Sequence, residues 1–558
     1  MRRIIAASSC LTAALSVLLA ACASVHPKKQ AAAPDDAAAS TVVAEIALER
    51  GDCTAASESY AAAAQHGAVS LARRASEVAL GCEHLPAAWQ AATRWRELAP
   101  GDQEAAAMYA TVALKLYKIP EARGAISDFL KAGATPGAPS LPGLVALLLA
   151  QADASAVLAA VSGAVESTTL TSSDAAVLAD LALEANDAQR AERYTQQALS
   201  LDSRELTARR VLARVYVVRD DRQKALDTAR DTMREDPAHA AFELAEVLIA
   251  MDRLEEAHQE LERLRTQKVS DVDIDRRLAL LAFEAGDMKE AQQRFTELAS
   301  EGEANDATML FLADIAARDG DTEAALAGYR RLADSSVAVS ARARAASLLL
   351  ARRDRKEALT LLDDYATDHP ESELQLTLTK ARLLAANGEP DTGLAMLDAA
   401  LARHPAHPSI QYDRAVILEQ AGRVHESVQA LERLLQDRPD DPVLLNALGY
   451  TLADHGLELS RADGLVRRAL VATPDSPAVL DSLGWVRFRQ GDARDAVTTL
   501  ERAYQLGRDA EIAAHWGEAL WASGQHQEAR KVWAAALARE PDSAPLKATI
   551  ARFVPNGH

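Results

Sequence analysis

The feature that most limits what this chain can fold into is a period: a short motif recurs about every 34 residues over more than half its length. It is plainest between Asp441 and Pro541. There Leu445-Asn446-Ala447-Leu448-Gly449-Tyr450, Leu480-Asp481-Ser482-Leu483-Gly484-Trp485 and Ala513-Ala514-His515-Trp516-Gly517 follow one another. Each is followed by a turn sequence (His455-Gly456, Gly491-Asp492, Gly524-Gln525) and a segment with alanine at a fixed place: Ala462, Ala496, Ala529. Counted upstream, this marker falls at Ala191, Ala225, Ala257, Ala291, Ala325, Ala358, Gly393 and Ser427, so the full series steps by 34, 32, 34, 34, 33, 35, 34, 35, 34 and 33. Small residues let two helices approach, large ones such as Leu448, Leu483 and Trp516 fill the space beside them, and Pro474 and Pro541 stop the second helix. A unit of this kind cannot bury its apolar face alone and must stack on its neighbours.

On these residues the chain resembles the tetratricopeptide-repeat family. The resemblance implies an all-α superhelix, an α-solenoid of about fifteen helix-turn-helix repeats. The regular array is expected over 171–541, with degenerate repeats over 41–170 extended from Ala56, Ala88 and Ala122, and a polar cap and tail over 542–558. The period loosens between Lys131 and Asp174, where helices are expected near Leu144 to Gln151 and Ala154 to Ala164. Aromatic residues make up only 4%, which suits thin helix-on-helix layers better than one large core.

The amino terminus reads differently. Met1-Arg2-Arg3 is basic, Ile4 to Ala21 is apolar, and the run ends Leu19-Ala20-Ala21-Cys22, the pattern of an export signal over 1–21. Leu-Ala-Ala-Cys resembles the lipobox of bacterial lipoproteins, which implies cleavage before Cys22 and lipidation of that cysteine. An uncleaved anchor is the rival reading, but the run is short for a membrane span. Ala23-Ser24, with no aspartate after Cys22, resembles the sorting pattern of outer-membrane lipoproteins. Residues 22–40 are expected to form a disordered tether, because their composition cannot bury a face. Cys53 and Cys82 sit at the turns of the first two repeats of an exported chain, and a disulfide between them is expected if the turns bring the Cα atoms within about 7 Å.

A formal net charge of -20 opposes a phosphate backbone, so no nucleic-acid partner is expected. Asp271, Asp273 and Asp275 alternate like a calcium loop, but Arg276 stands where a turn glycine is needed; they are read as a helix start. His404 and His407 fall at a joint between repeats with no third ligand, so no metal is assigned. No nucleophile elbow, zincin or phosphate-loop motif occurs; an enzyme is not expected and no cofactor is implied.

The expected function is a lipid-anchored scaffold at the outer membrane, facing the periplasm, that binds protein partners. The blocks from Asn446 to Asp454, Asp481 to Gly491 and Glu511 to Gly524, with the lipobox, are similar to those of lipoprotein adaptors of carboxyl-terminal processing proteases. That likeness implies a periplasmic protease and its cell-wall hydrolase substrates as partners. An assembly factor for an exported polysaccharide or outer-membrane machine is one alternative; a hydrolase with an unrecognised site is another. By family resemblance the groove is lined by the second stripe of each first helix, carrying Tyr412, Asn446, Tyr450, Asp481, Trp485, Phe488 and Trp521. Either these rings face a partner or they pack on neighbouring helices, and the two readings part on stability. On the first, Trp485→Ala and Tyr450→Ala weaken capture without lowering the melting temperature.

Overall fold

A computed structural model of the protein describes residues 36–133, 140–237, 240–267, 271–404, 406–541 and 543–554. The export signal, Cys22 and most of the expected tether lie outside these residues. The first described helix, Asp36–Glu49, begins inside the stretch expected as tether, whose last five residues are therefore helical.

Thirty-one α-helices run from Asp36–Glu49 to Ala544–Phe553, and no strand occurs among the described residues. They form fifteen consecutive helix pairs and a final helix that packs under the last pair. The loosened stretch is one of these pairs, Leu141–Leu149 and Ala154–Val165. No helix among the described residues is long and apolar enough to cross a membrane.

The small-residue marker is the contact point within each pair. Ala191, Ala225, Ala257, Ala291, Ala325, Ala358, Ser427, Ala462, Ala496 and Ala529 are all fully buried. Two positions show why size matters there. A Cβ at Gly393 would lie 2.7 Å from the Ala381 carbonyl oxygen, and one at Gly484 would lie 2.5 Å from Leu500 Cγ. Neither helix could sit where it does with a larger residue. Polar ladders join one repeat to the next: Arg210 to Glu243, Arg277 to Glu246, Arg294 to Glu262, and a two-pronged Arg382–Asp413 pair at 2.8 and 2.9 Å.

The superhelix closes on itself. Thr54 Oγ1 donates to the Arg403 carbonyl at 3.0 Å, and Tyr117 Oη to that of Asp440 at 3.1 Å. The Asp475 amide donates to the Asn186 carbonyl at 2.8 Å, and the Ala188 amide donates to the Asp475 carboxylate. His407 Nε2 lies 3.4 Å from Glu83, Arg502 donates to the Val218 carbonyl, and Asp252 binds Arg508 at 2.6 Å and also Arg539. The partners in this set lie from 256 residues apart, Asp252 to Arg508, to 349 apart, Thr54 to Arg403, so one coil takes that length of chain and the next rests on it. The contacts form a seam: turns within repeats of the first coil meet joints between repeats of the second.

The seam is marked in the backbone. The residue five before each marker takes a left-handed conformation, except at Ala462, where Gly456 six before it does; it is glycine at Gly51, Gly286, Gly320, Gly388, Gly422, Gly491 and Gly524. At Glu83, Tyr117, Asn186, Asp220, Asp252 and Arg353 a side chain occupies that conformation, with φ between 51° and 64°. Each costs about 1–2 kcal/mol relative to glycine. Five of these six lie in the first coil along the seam. Glu83, Tyr117 and Asp252 reach across it with their side chains, and Asn186 with its carbonyl. Asp220 lines a cavity of about 370 Å³ between the coils, with Asp475 and Arg502 on the far wall. Arg353 lies outside the seam.

At the amino end, Cys53 and Cys82 are joined as a disulfide with Cα atoms 5.5 Å apart, tying the first two pairs together beside Thr54. Asp271, Asp273 and Asp275 open the helix Asp271–Glu284. His404 and His407 lie at the joint, where His404 faces Glu373 at 3.7 Å and His407 faces Glu83 across the seam.

Candidate protein-binding groove

Four successive first helices, Pro408–Gln420, Pro442–Asp454, Pro477–Arg489 and Ala510–Ala522, bring one repeat position into line: Tyr412, Asn446, Asp481 and His515. They are 34, 35 and 34 residues apart, so the repeat period places them side by side. Tyr412, Asn446, Tyr450 and Asp481 line one pocket of about 580 Å³, together with Glu419, Asp509 and Glu511.

Its polar groups are ordered. Tyr450 Oη donates to Glu511 Oε1 at 3.1 Å, and His515 Nδ1 lies 3.0 Å from both oxygens of Asp481. Burial, followed by the charges of Glu511, Asp454 and Asp481, pushes the Tyr450 phenol well above its ordinary value. Burial alone would lower the His515 imidazole, but Asp481, then Glu511 and Asp454, outweigh it and hold it above its usual range. The His515 shift follows the negative charge here; that of Tyr450 is set first by burial. Asn446 Oδ1 is buried and accepts no hydrogen bond.

The structure divides the seven residues expected in the groove. Tyr412, Asn446 and Tyr450 are half-buried and face the pocket. Asp481 lines it too, but is only 6% exposed and is held by His515. Trp485 departs from the expectation: at 6% exposure it is part of the wall. Its ring stacks on His515 with centroids 4.2 Å apart and on Phe488 at 5.1 Å, and its Nε1 donates to Asp454 at 3.0 Å. The register puts Trp485 on the inner stripe, but the next repeat supplies His515 on the same stripe and covers it. Phe488 belongs to this stack. Trp521 lies at the far end, stacked on His526 and Trp533 and tilted against Phe553 of the final helix. The expectation that Trp485→Ala leaves stability untouched is therefore withdrawn.

Sequence reasoning passed over His515, Asp454 and Glu511. The signal for His515 was present in its 34-residue offset from Asp481. Among the described residues, Glu419, Asp454 and His455 come close enough to share a cation, but His455 is hydrogen-bonded to Glu419 at 2.9 Å and Asp454 already holds the Trp485 indole.

Helix pairs at this period, closed by a capping helix, define a tetratricopeptide-repeat solenoid. Residues 378–442 match the profile of the tetratricopeptide-repeat family, and the chain is a repeat protein of that type. It is 30% identical over 213 residues to the TPR repeat-containing protein PA4667 of Pseudomonas aeruginosa, covering 38% of this chain and 36% of that one. Little more than a third of that relative's length is thus matched. Among solved structures, yeast Tom70 aligns with 13% identity over 93% of this chain and 99% of its own, at a TM-score of 0.35. TTC0263 of Thermus thermophilus aligns with 22% identity over 32% of this chain and 98% of its own, at 0.30.

Proposed function

We propose that this chain is a lipid-anchored periplasmic scaffold that captures protein partners with the groove of its second coil. The observation that supports this is the pocket formed where four first helices align Tyr412, Asn446, Tyr450 and Asp481. Concave, partly apolar walls with a few placed polar groups suit capture of a protein segment, and aromatic anchors dominate such binding. Cys22 carries the anchor and the outer membrane is the location, on the strength of the lipobox-like Leu19-Ala20-Ala21-Cys22. The partner is a periplasmic protease together with its cell-wall hydrolase substrates, a reading that rests on the resemblance of the carboxyl-terminal blocks.

Affinity capture from membranes after mild crosslinking tests this. A serine protease retained by the full chain and lost at least tenfold with Tyr450→Ala supports the adaptor; recovery of a synthase or porin points to an assembly factor instead. Palmitate label that persists in Cys22→Ala contradicts the anchor.

A further inference from the structure

The two coils present different chemistry on the same kind of surface. On the first, a pocket lined by Asp180, Glu243, Glu246 and Asp273 also holds Arg210, Arg214 and Arg277, which pair with Glu243, Asp180 and Glu246 in turn. On the second, the groove pocket is lined by Glu419, Asp481, Asp509 and Glu511, and by no lysine or arginine. Two of those acids are already used. Asp481 is held by His515, and Asp509 caps its helix by accepting the Glu511 and Ile512 amides. Glu511 is exposed, accepts from Tyr450, and has no ion pair among the described residues; Glu419 has only the His455 imidazole beside it. The buried Asn446 Oδ1 is a further acceptor without a donor.

We infer that this pocket receives a basic side chain, arginine above all, from an extended segment of a partner protein. A guanidinium offers only donors; Asn446 Oδ1 has none, Glu511 has the Tyr450 hydroxyl and Glu419 the His455 imidazole but neither has an arginine or lysine, and the flat face of the guanidinium can lie on the Tyr412 and Tyr450 rings. An ammonium serves less well because it is a compact, strongly hydrated charge with no flat face to lay on the rings. A segment ending in a free carboxylate is repelled. The raised His515 imidazole follows the same acids, Asp481 first and then Glu511 and Asp454. The chain's net charge of -20 draws basic segments toward it from a distance.

This rests on the groove being the capture surface, so the test separates the two ideas. A short fluorescent peptide with a central arginine, and its twin with glutamine there, are titrated against the full chain in detergent, and against Glu511→Gln, Glu419→Gln and the pocket-filling Ala447→Trp. Thermal melts check that each variant is folded. The arginine peptide is expected to bind about tenfold more tightly than its twin, with that advantage cut several-fold by Glu511→Gln and by Glu419→Gln, and binding lost with Ala447→Trp. Equal binding of both peptides, abolished by Ala447→Trp, overturns the cation inference and leaves the groove as the capture surface. Binding indifferent to Ala447→Trp overturns both.

Discussion

Turns that face the seam and turns that face solvent have the same backbone and different residues. In the second coil the left-handed position is glycine, as at Gly422, Gly491 and Gly524, and nothing lies within reach of it that a Cβ would touch. In the first coil Glu83, Tyr117 and Asp252 hold the same conformation against its steric cost and make contacts with the second coil. Local strain is tolerated where a side chain gains a partner far away in sequence. Contacts within and between neighbouring repeats hold each pair together; the seam decides how tightly the coil is wound.

Substitutions in the two kinds of contact should therefore separate melting from opening. Trp485→Ala removes a buried indole with its stacking and its hydrogen bond to Asp454, and is expected to cost about 3–5 kcal/mol in thermal or urea unfolding. Scattering of the still-folded protein should show an unchanged coil, because Trp485 is not at the seam.

A smaller effect, of opposite sign at two positions, sharpens the contrast. Arg353→Gly relieves a left-handed residue with no seam contact, and should stabilise by up to about 1 kcal/mol. Asp252→Gly relieves the same strain but leaves Arg508 and Arg539 facing each other. Burial, then Arg539 and Arg222, already pulls the Arg508 guanidinium down to about 10. Net loss of about 1–2 kcal/mol and a larger radius of gyration are expected. Equal responses at the two sites would erase the distinction between strained turns with and without a partner.

The smallest effect is with pH. Burial would raise the Glu83 carboxyl, but His407 across the seam and Lys115 outweigh it and hold the group below its ordinary value of 4.5. A depressed carboxyl stabilises the fold above that ordinary value and loses its contribution as pH falls through the folded value. The amino-terminal end of the seam should loosen on acidification below about pH 4.5, seen as faster amide exchange near Glu83 and His407. Glu83→Gln should flatten that dependence.

The repeat itself was legible because packing dictates it. Ala225, Ala291 and Ala496 are fully buried at a fixed interval, and no other residue size fits so many helix crossings. Even the weak stretch yielded its two helices near the expected places. The seam was not legible, since Glu83 and His407 lie 324 residues apart and each reads alone as a solvated turn or joint residue. Missing glycines at Glu83, Tyr117 and Asp252 were the available sign. In the groove, register put Tyr412, Asn446 and Tyr450 on the right stripe. It could not show that Trp485 is covered, because a stripe tells which way a side chain points and not what the next repeat lays over it.

The closed coil is tested most directly by pulsed electron-spin distance measurement between labels placed at Asp220 and Gln505, which line opposite walls of the inter-coil cavity. A closed coil gives a single narrow distribution at short distance that broadens and lengthens when Asp252→Arg is added. A broad, long-distance distribution in the parent chain, unchanged by Asp252→Arg, would contradict it.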